Sequence, residues 1–280
     1  MSVLSQTHED FELIIVNDKS PEDLTSIVSL FDDYRIRYFI NEENIGAKDL
    51  VANWNYCLSL ARGEYFCLIC DDDVYEPTFI EEMLSLANQY PHCNVFRSGV
   101  SIIDKNAKVY DYYPSSPSWE SSEDYIWHVL RGYRCQTITE WFYRRDPILH
   151  QGGFVSFPLA WYSDFISIFK FSTEGGIAST AKRLVTFRMS GDNITSKHNM
   201  HTLKKMEAAC LFENELADMI ISNKYDKDIL LSLLRKYMFK KKTYELGTCS
   251  FSDLIRLYHS RKEYGLSHLM FLKSLKQRLR

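Results

Sequence analysis

The sequence predicts an α/β fold: a mostly parallel sheet with helices on both faces, followed by a helical C-terminal region. Three observations predict it. Short β-branched and aromatic runs alternate with segments of helical apolar period over roughly the first hundred residues, the pattern of strand–helix–strand units. Two Asp-bearing loops, at Asp18 and at Asp71-Asp72-Asp73, each follow a predicted strand. They should share one edge of the sheet, where open α/β sheets bind ligands. From about residue 201 the strand pattern stops and helical spacing continues. The chain thus divides into an α/β unit over residues 1–200 and a helical region over 201–280.

Phe11-Glu12-Leu13-Ile14-Ile15-Val16 reads as the first strand and Asn17-Asp18-Lys19-Ser20-Pro21 as the loop after it. Leu24, Ile27, Val28 and Phe31 mark a helix, and Arg35-Ile36-Arg37-Tyr38-Phe39-Ile40 a second strand. Leu50, Val51, Trp54, Cys57, Leu58 and Ala61 recur at helical spacing over residues 47–62, with Gly63 placed to close that helix. Glu64-Tyr65-Phe66-Cys67-Leu68-Ile69 reads as a buried strand ending at the aspartates. Pro77 suits the first turn of a helix that buries Ile80, Met83, Leu84 and Ala87, and Val95 and Phe96 begin a fourth strand. Residues 100–160 are less regular and rich in Tyr, Trp, Ser and Pro, as binding loops often are. A strand through Leu184-Val185-Thr186-Phe187 ends at Arg188.

Composition narrows the function classes. With 45% apolar and 14% aromatic residues in 280, the chain can fill a sizeable core and is not disordered. No apolar stretch approaches the ~18–20 residues of a membrane span, and Met1-Ser2-Val3-Leu4-Ser5-Gln6 has neither the basic start nor the apolar run of a signal peptide. Seven scattered cysteines suit reduced thiols in the cytoplasm. Cys67-x-x-Cys70 has metal or redox spacing, but both residues lie on a predicted strand and no second pair follows. Residues 201–280 hold 16 Lys and Arg against 9 Asp and Glu, a balance of +7 within a chain of net charge −4, so the remainder carries −11. An acidic body with a basic tail is unlike the basic face of a nucleic-acid protein. It suits a body that needs a cation to hold an anionic substrate, and the tail can attract an anionic membrane surface.

Three adjacent carboxylates at a strand end repel one another unless a cation is near. Mg²⁺ and Mn²⁺ favour such oxygen ligands, often one or two carboxylates plus substrate phosphates. The alternative is a solvated turn with an Asp capping the next helix. The residues alone do not choose between the two.

Several segments together resemble family 2 glycosyltransferases. Gln6-Thr7 followed by Phe11-Glu12-Leu13-Ile14-Ile15-Val16-Asn17-Asp18-Lys19-Ser20 is similar to the family's opening segment. Asn44-x-Gly46, Asn53-Trp54-Asn55, Ala61-Arg62-Gly63-Glu64-Tyr65 and the aspartates up to Pro77 continue the pattern in order. Gly152-Gly153-Phe154 followed by Asp164 is similar to the acceptor-side segment that ends in the family's catalytic aspartate. The resemblance covers about residues 1–197. It implies a GT-A (Rossmann-like) fold and inverting transfer of a sugar from a nucleotide-sugar, with a UDP-sugar as donor and a saccharide or lipid-linked molecule as acceptor, as in cell-surface polysaccharide synthesis. Two departures stand out. Family members begin with a further strand and loop, absent before Met1, so the sheet is expected to lose an inner strand. Cys70 stands where the family's D-x-D has its first Asp, and a thiol does not replace a carboxylate for a hard cation.

The resemblance also assigns roles, each with a plainer alternative. Asp164 is the expected general base, taking the proton from the attacking sugar hydroxyl; alternatively it caps the helix through Phe165. Asp18 would accept a hydrogen bond from the nucleobase; alternatively it is an ordinary turn residue. Asp71 would lie near the donor ribose. Asp72 is the expected ligand of Mg²⁺ or Mn²⁺, with Asp73 and His198 as further candidates. Arg188 and Asn193, with Ser196, would clamp the diphosphate. Asn53 and Asn55 flank Trp54, and one of them would hold the donor-side loops.

A nucleotidyltransferase would want a Gly-rich phosphate loop after its first strand, and none is visible. An inactive nucleotide-sugar-binding or scaffold protein is the alternative from another class. In the tail, Leu266, Leu269, Met270, Leu272 and Leu275 lie among Lys273, Lys276, Arg278 and Arg280. Their scatter favours packing on the catalytic domain over peripheral contact with the inner face of a membrane.

Overall fold

The computed structural model describes residues 1–191 and 200–278. Strands β1 (Leu13–Asn17) and β2 (Ile36–Ile40) pair in parallel across α1 (Leu24–Val28), with Leu13 opposite Ile36 and Asn17 opposite Ile40. The helix expected over 47–62 is two helices, α2 (Ile45–Lys48) and α3 (Leu50–Leu60). Asp49 breaks them: its backbone is extended, and its side chain accepts hydrogen bonds from the N–H groups of Val51 and Ala52. A side chain that caps so well competes with helix continuation. The strand expected over 64–69 shrinks to β3 (Tyr65–Phe66), and β4 (Val74–Tyr75) follows directly after the aspartates. The helix after Pro77 is α4 (Phe79–Gln89).

The middle of the chain, irregular in sequence, contains β5 (Val95–Ile103), β6 (Val109–Tyr112), β7 (Trp119–Glu120), α5 (Ser122–Arg131), β8 (Trp141–Arg144) and α6 (Arg145–His150). A single 3₁₀ turn (Pro158–Ala160) precedes α7 (Ser163–Phe171), and β9 (Ile177–Arg188) completes the sheet. The larger sheet has seven strands in the order β3-β8-β5-β9-β4, with β6 added to β5 and β7 to β9. Its pairing is more mixed than the alternation predicts. Strands β5 and β9 run parallel, whereas β3–β8, β5–β8 and β4–β9 are antiparallel. Strands β1 and β2 form a separate two-stranded sheet. After residue 200 come α8 (Thr202–Ser222), α9 (Lys227–Thr248), α10 (Phe251–His259) and α11 (His268–Arg278).

Alternation along the strands separates two cores. Val95, Trp141 and Tyr143 face one side, where they pack with Tyr125, Phe169, Phe212 and Leu234 from α5, α7, α8 and α9. Phe96 and Phe142 face the other, against Phe79 and Met83 of α4. Helices therefore cover both faces, as the sequence predicts. Helices α8 and α9 share the main core, while Leu246, Leu257 and Phe271 build a smaller one farther on. Among the described residues no helix is long and apolar enough to cross a membrane.

A buried ion pair interrupts this apolar interior. Arg97 on β5 is 3% exposed and Glu140, just before β8, is fully buried. Arg97 Nε donates to Glu140 Oε1 at 2.6 Å, and its other nitrogens reach Ser116 Oγ and the Cys135 carbonyl. Glu140 Oε2 also accepts from the N–H and hydroxyl of Thr137. Burial pushes the Glu140 carboxyl up, and Arg97 pulls it back. Two buried charges persist together because each compensates the other's desolvation. Arg97→Leu, which strands Glu140, is expected to lower the free energy of unfolding by about 3–5 kcal/mol in urea titration. Adding Glu140→Leu should recover part of that loss.

Candidate active site

The three aspartates occupy the short connection from β3 to β4, and their environments differ. Asp71 is exposed, Asp72 partly buried and Asp73 buried. Asp73 accepts a hydrogen bond from the Thr139 hydroxyl and another from the Arg188 N–H at 3.0 Å. Burial pushes its carboxyl up to about 6, against those hydrogen bonds. Arg188 Nε donates to the Asp72 carbonyl at 3.1 Å and Nη1 to the Asp104 carbonyl at 3.3 Å. The guanidinium therefore ties the aspartate loop to the end of β5, with its charge beside the carboxylates. Burial pushes the Cys70 thiol up to about 12, so it remains protonated. Among the described residues no group of three or more His, Cys, Asp or Glu could hold a metal ion. Asn193, Ser196 and His198 lie outside the described residues.

Asp18 sits at the end of β1 and is occupied by its own chain. Its Oδ1 accepts from Asn41 Nδ2 at 2.7 Å and Ile45 N at 2.8 Å, and its Oδ2 from Gly46 N at 2.6 Å. Burial pushes this carboxyl up, but the three donors outweigh it and hold it below the usual range. A Cβ on Gly46 would lie 2.9 Å from Oδ2, so the contact requires glycine. Asp18 thus fastens the start of α2 to the end of β1, whatever else it binds.

Asp164 stands in the first turn of α7, partly buried. The helix is capped two residues earlier, by Tyr162, without a side-chain hydrogen bond, so Asp164 is not the N-cap. Gln136 Nε2 donates to Asp164 Oδ2 at 3.1 Å, and Gln136 Oε1 accepts from the Tyr125 hydroxyl at 2.6 Å. Burial pushes the Asp164 carboxyl above the usual range, and the hydrogen bond from Gln136 offsets this only in part. Leu159, Ala160 and Tyr162 have φ of 62°, 55° and 67°. Three left-handed non-glycine residues so close together cost about 1–3 kcal/mol each and mark a segment held by its surroundings. The aromatic pair before Asp164 is part of that hold. Tyr162 stacks on Phe212 with centroids 4.8 Å apart, and Lys205 lies over the Trp161 ring at 4.6 Å. These contacts anchor the segment to α8.

The loop over residues 135–140 joins these parts. Thr139 holds Asp73, Gln136 holds Asp164, and Glu140 is pinned by Arg97. Sequence reasoning did not select these residues, since 100–160 read as irregular. The available signal was Arg97 directly after the apolar pair Val95-Phe96: a charge on a buried strand demands a partner. A cleft of about 620 Å³ runs between Gly46, Lys48 and Ser156 on one side and His201 and Lys204 on the other, within the ~300–1,000 Å³ of ligand sites.

The sequence profile described as "Glycosyl transferase family 2" matches residues 1–155, more than half of the chain. This chain belongs to that family. An uncharacterized glycosyltransferase of Haemophilus influenzae is 25% identical over 97% of this chain and 84% of its own length. An uncharacterized glycosyltransferase of Rickettsia bellii is 33% identical over 41% of this chain but only 16% of its own length, so the chain spans a small part of that relative. WcaA of Escherichia coli, named for colanic acid biosynthesis, is 39% identical over 31% of each chain. Among solved structures, S. aureus TarS with UDP-GlcNAc aligns over 99% of this chain and 83% of its own, with a TM-score of 0.69 at 13% identity. Mannosyltransferase PcManGT from Pyrobaculum calidifontis, with GDP-Man and Mn²⁺, aligns over 99% of this chain and 81% of its own, at 14% identity and a TM-score of 0.55. The shared fold is GT-A.

The family segments do structural work here. Gln6 bonds to the Glu76 carbonyl and the Ile80 N–H, fixing the exit from the aspartate loop. Glu12 accepts from the N–H groups of Arg62 and Gly63 and pairs with Arg37. Asn55 donates to the Phe154 carbonyl at 2.9 Å and accepts from its N–H at 2.8 Å, clamping the chain that leads to Asp164. A Cβ on Gly153 would meet Asn55 Oδ1 at 2.4 Å. Asn55→Ala removes both partners of Phe154 and is expected to cost about 1–3 kcal/mol, read as a lower midpoint in urea unfolding.

Proposed function

We propose that this chain is an inverting glycosyltransferase of the hexosyltransferase type, moving a sugar from a UDP-sugar to a saccharide or lipid-linked acceptor in cell-surface polysaccharide synthesis. The proposal takes residues 1–200 as the catalytic unit and residues 201–280 as a helical addition. One observation carries it: the 135–140 loop touches the aspartate cluster through Thr139 and Asp164 through Gln136. Donor-side carboxylates and a base thereby flank one short segment. The cleft rimmed by Gly46 and by Ser156 also spans the donor-side helix and the chain leading to Asp164. Family membership and the UDP-GlcNAc complex of TarS support a nucleotide-sugar donor.

In this reading Asp164 takes the proton from the acceptor hydroxyl as that oxygen attacks the sugar. Burial raises its proton affinity, which suits a base that must hold a proton during the step. Gln136 orients the carboxylate through Oδ2. Arg188 lies beside the aspartates, where its charge favours the diphosphate, while Asp71 is free to meet the ribose. Asp18 would offer the nucleobase whatever acceptor capacity its three internal donors leave.

The residues fit a divalent cation only together with substrate. Asp73 is committed to Thr139 and Arg188 and Cys70 is a neutral thiol, which leaves Asp72 as the carboxylate to hold Mg²⁺ or Mn²⁺ alongside diphosphate oxygens. Bound there, the ion would neutralise the departing diphosphate. Cys70, and the lack among the described residues of a group of three His, Cys, Asp or Glu for a metal, favour one second reading, a nucleotide-sugar-binding protein without transfer activity. Donor hydrolysis with and without Mn²⁺ separates the two.

Calorimetry with UDP should show binding in Mn²⁺ that is lost in chelator and lost in Asp72→Ala; equal affinity in chelator would remove the metal from the proposal. Asp164→Asn should keep the fold and the affinity for UDP while lowering transfer by ~10²–10⁴-fold. Because the base works deprotonated and its pKa is raised, wild-type kcat/KM should fall on acidification at a pH above the ordinary 3.8 of an aspartate. Wild-type turnover in Asp164→Asn would refute the assignment.

A further inference from the structure

Helix α11 is apolar on two sides, and only one of them is covered. Met270, Phe271 and Ser274 are buried, with the Phe271 ring edge-on to Tyr258 of α10 at 5.2 Å. On the other side Leu269, Leu272 and Leu275 are 52%, 60% and 44% exposed. Their spacing of three residues places them along one stripe of the helix. The scatter of leucines in the sequence is therefore two stripes superposed. On α10, Phe251 and Ile255, one turn apart, are also exposed, at 70% and 47%. Single exposed apolar residues are ordinary, but three leucines along one stripe of a helix mark a contact surface.

The charges identify the partner. Lys273 and Lys276 are exposed between the leucines, and α11 carries no Asp or Glu from His268 to Arg278. Lys273 lies over the Phe239 ring of α9 at 4.8 Å, and the exposed Lys240 follows Phe239, so the basic edge continues onto the neighbouring helix. Exposed Arg256 on α10 adds to it. Lysine is depleted from the centre of protein–protein interfaces. A helix lying in a membrane surface has the opposite habit, with leucines and phenylalanines in the acyl boundary and lysines among lipid phosphates. We propose that the exposed face of α10 and α11 binds the surface of an anionic lipid bilayer. The inference does not depend on the catalytic reading. Each basic residue near such a surface adds roughly fivefold in affinity at low salt, and salt screens it.

The test is co-sedimentation of the full chain with vesicles of phosphatidylcholine alone or with about one-third phosphatidylglycerol, at ~0.05 M and ~0.5 M NaCl. Expected is binding to anionic vesicles at low salt that falls ~10-fold or more at high salt, with none to neutral vesicles. Leu269→Ser/Leu272→Ser/Leu275→Ser should weaken it by ~10-fold or more without changing the melting temperature, since these side chains face water. Lys273→Gln/Lys276→Gln should weaken it by a similar factor. Should the triple variant unfold, Leu272→Ser alone carries the apolar arm. No binding at low salt, equal binding to neutral vesicles, or undiminished binding in both variants would overturn the proposal. So would self-association abolished by the leucine changes without vesicle binding, which would assign the face to a second copy of the chain.

Discussion

The buried pair of Arg97 and Glu140 is the constraint on which the candidate site hangs. A guanidinium and a carboxylate in an apolar interior each demand the other, and this pair satisfies its remaining valences on Ser116, Cys135 and Thr137. Those bonds leave the 135–140 loop little freedom. The same loop presents Thr139 to one carboxylate and Gln136 to another. A loop held only by apolar contacts could slide or rotate; charged hydrogen bonds specify direction as well as distance.

A similar economy runs through the rest of the site. Polar side chains that resemble a family signature mostly bond to backbone: Gln6 to residues 76 and 80, Glu12 to residues 62 and 63, Asp18 to residues 45 and 46. These bonds set where loops leave the sheet edge. Side-chain-to-backbone bonds suit this task because they fix chain direction independently of neighbouring side chains. Asp72 and Asp164, to which the proposal gives the chemistry, have fewer such commitments.

Much of the fold was legible because periodicity reports burial directly. Strands β1, β2 and β5 and helices α3 and α4 announced themselves by apolar spacing. Boundaries were less legible where a polar side chain overrides period, as Asp49 does by ending α2 and capping α3. The sheet's mixed pairing was hidden because strand direction depends on which distant segments meet, as β8 does between β3 and β5. Within the site, the aspartates stood out as a cluster, but their separate environments did not: nothing local says that Asp73 is buried and Asp71 exposed. Gln136 and Thr139 were invisible since their roles arise only when Arg97 draws their loop inward.

The clamp between Asn55 and Phe154 bears on how such a chain can be recombined. The clamp joins α3 to the chain that leads to Asp164, 99 positions later. Both bonds involve the backbone of residue 154, so they do not depend on its side chain, which is buried among Trp54, Phe66, Tyr143 and Phe171, but only an amide of the right reach can serve at position 55. A segment around Phe154 transplanted into another chain would therefore arrive without its anchor unless the helix came with it. The structural unit is discontinuous in the gene: the segment at Gly153-Phe154 together with one asparagine encoded 99 positions upstream.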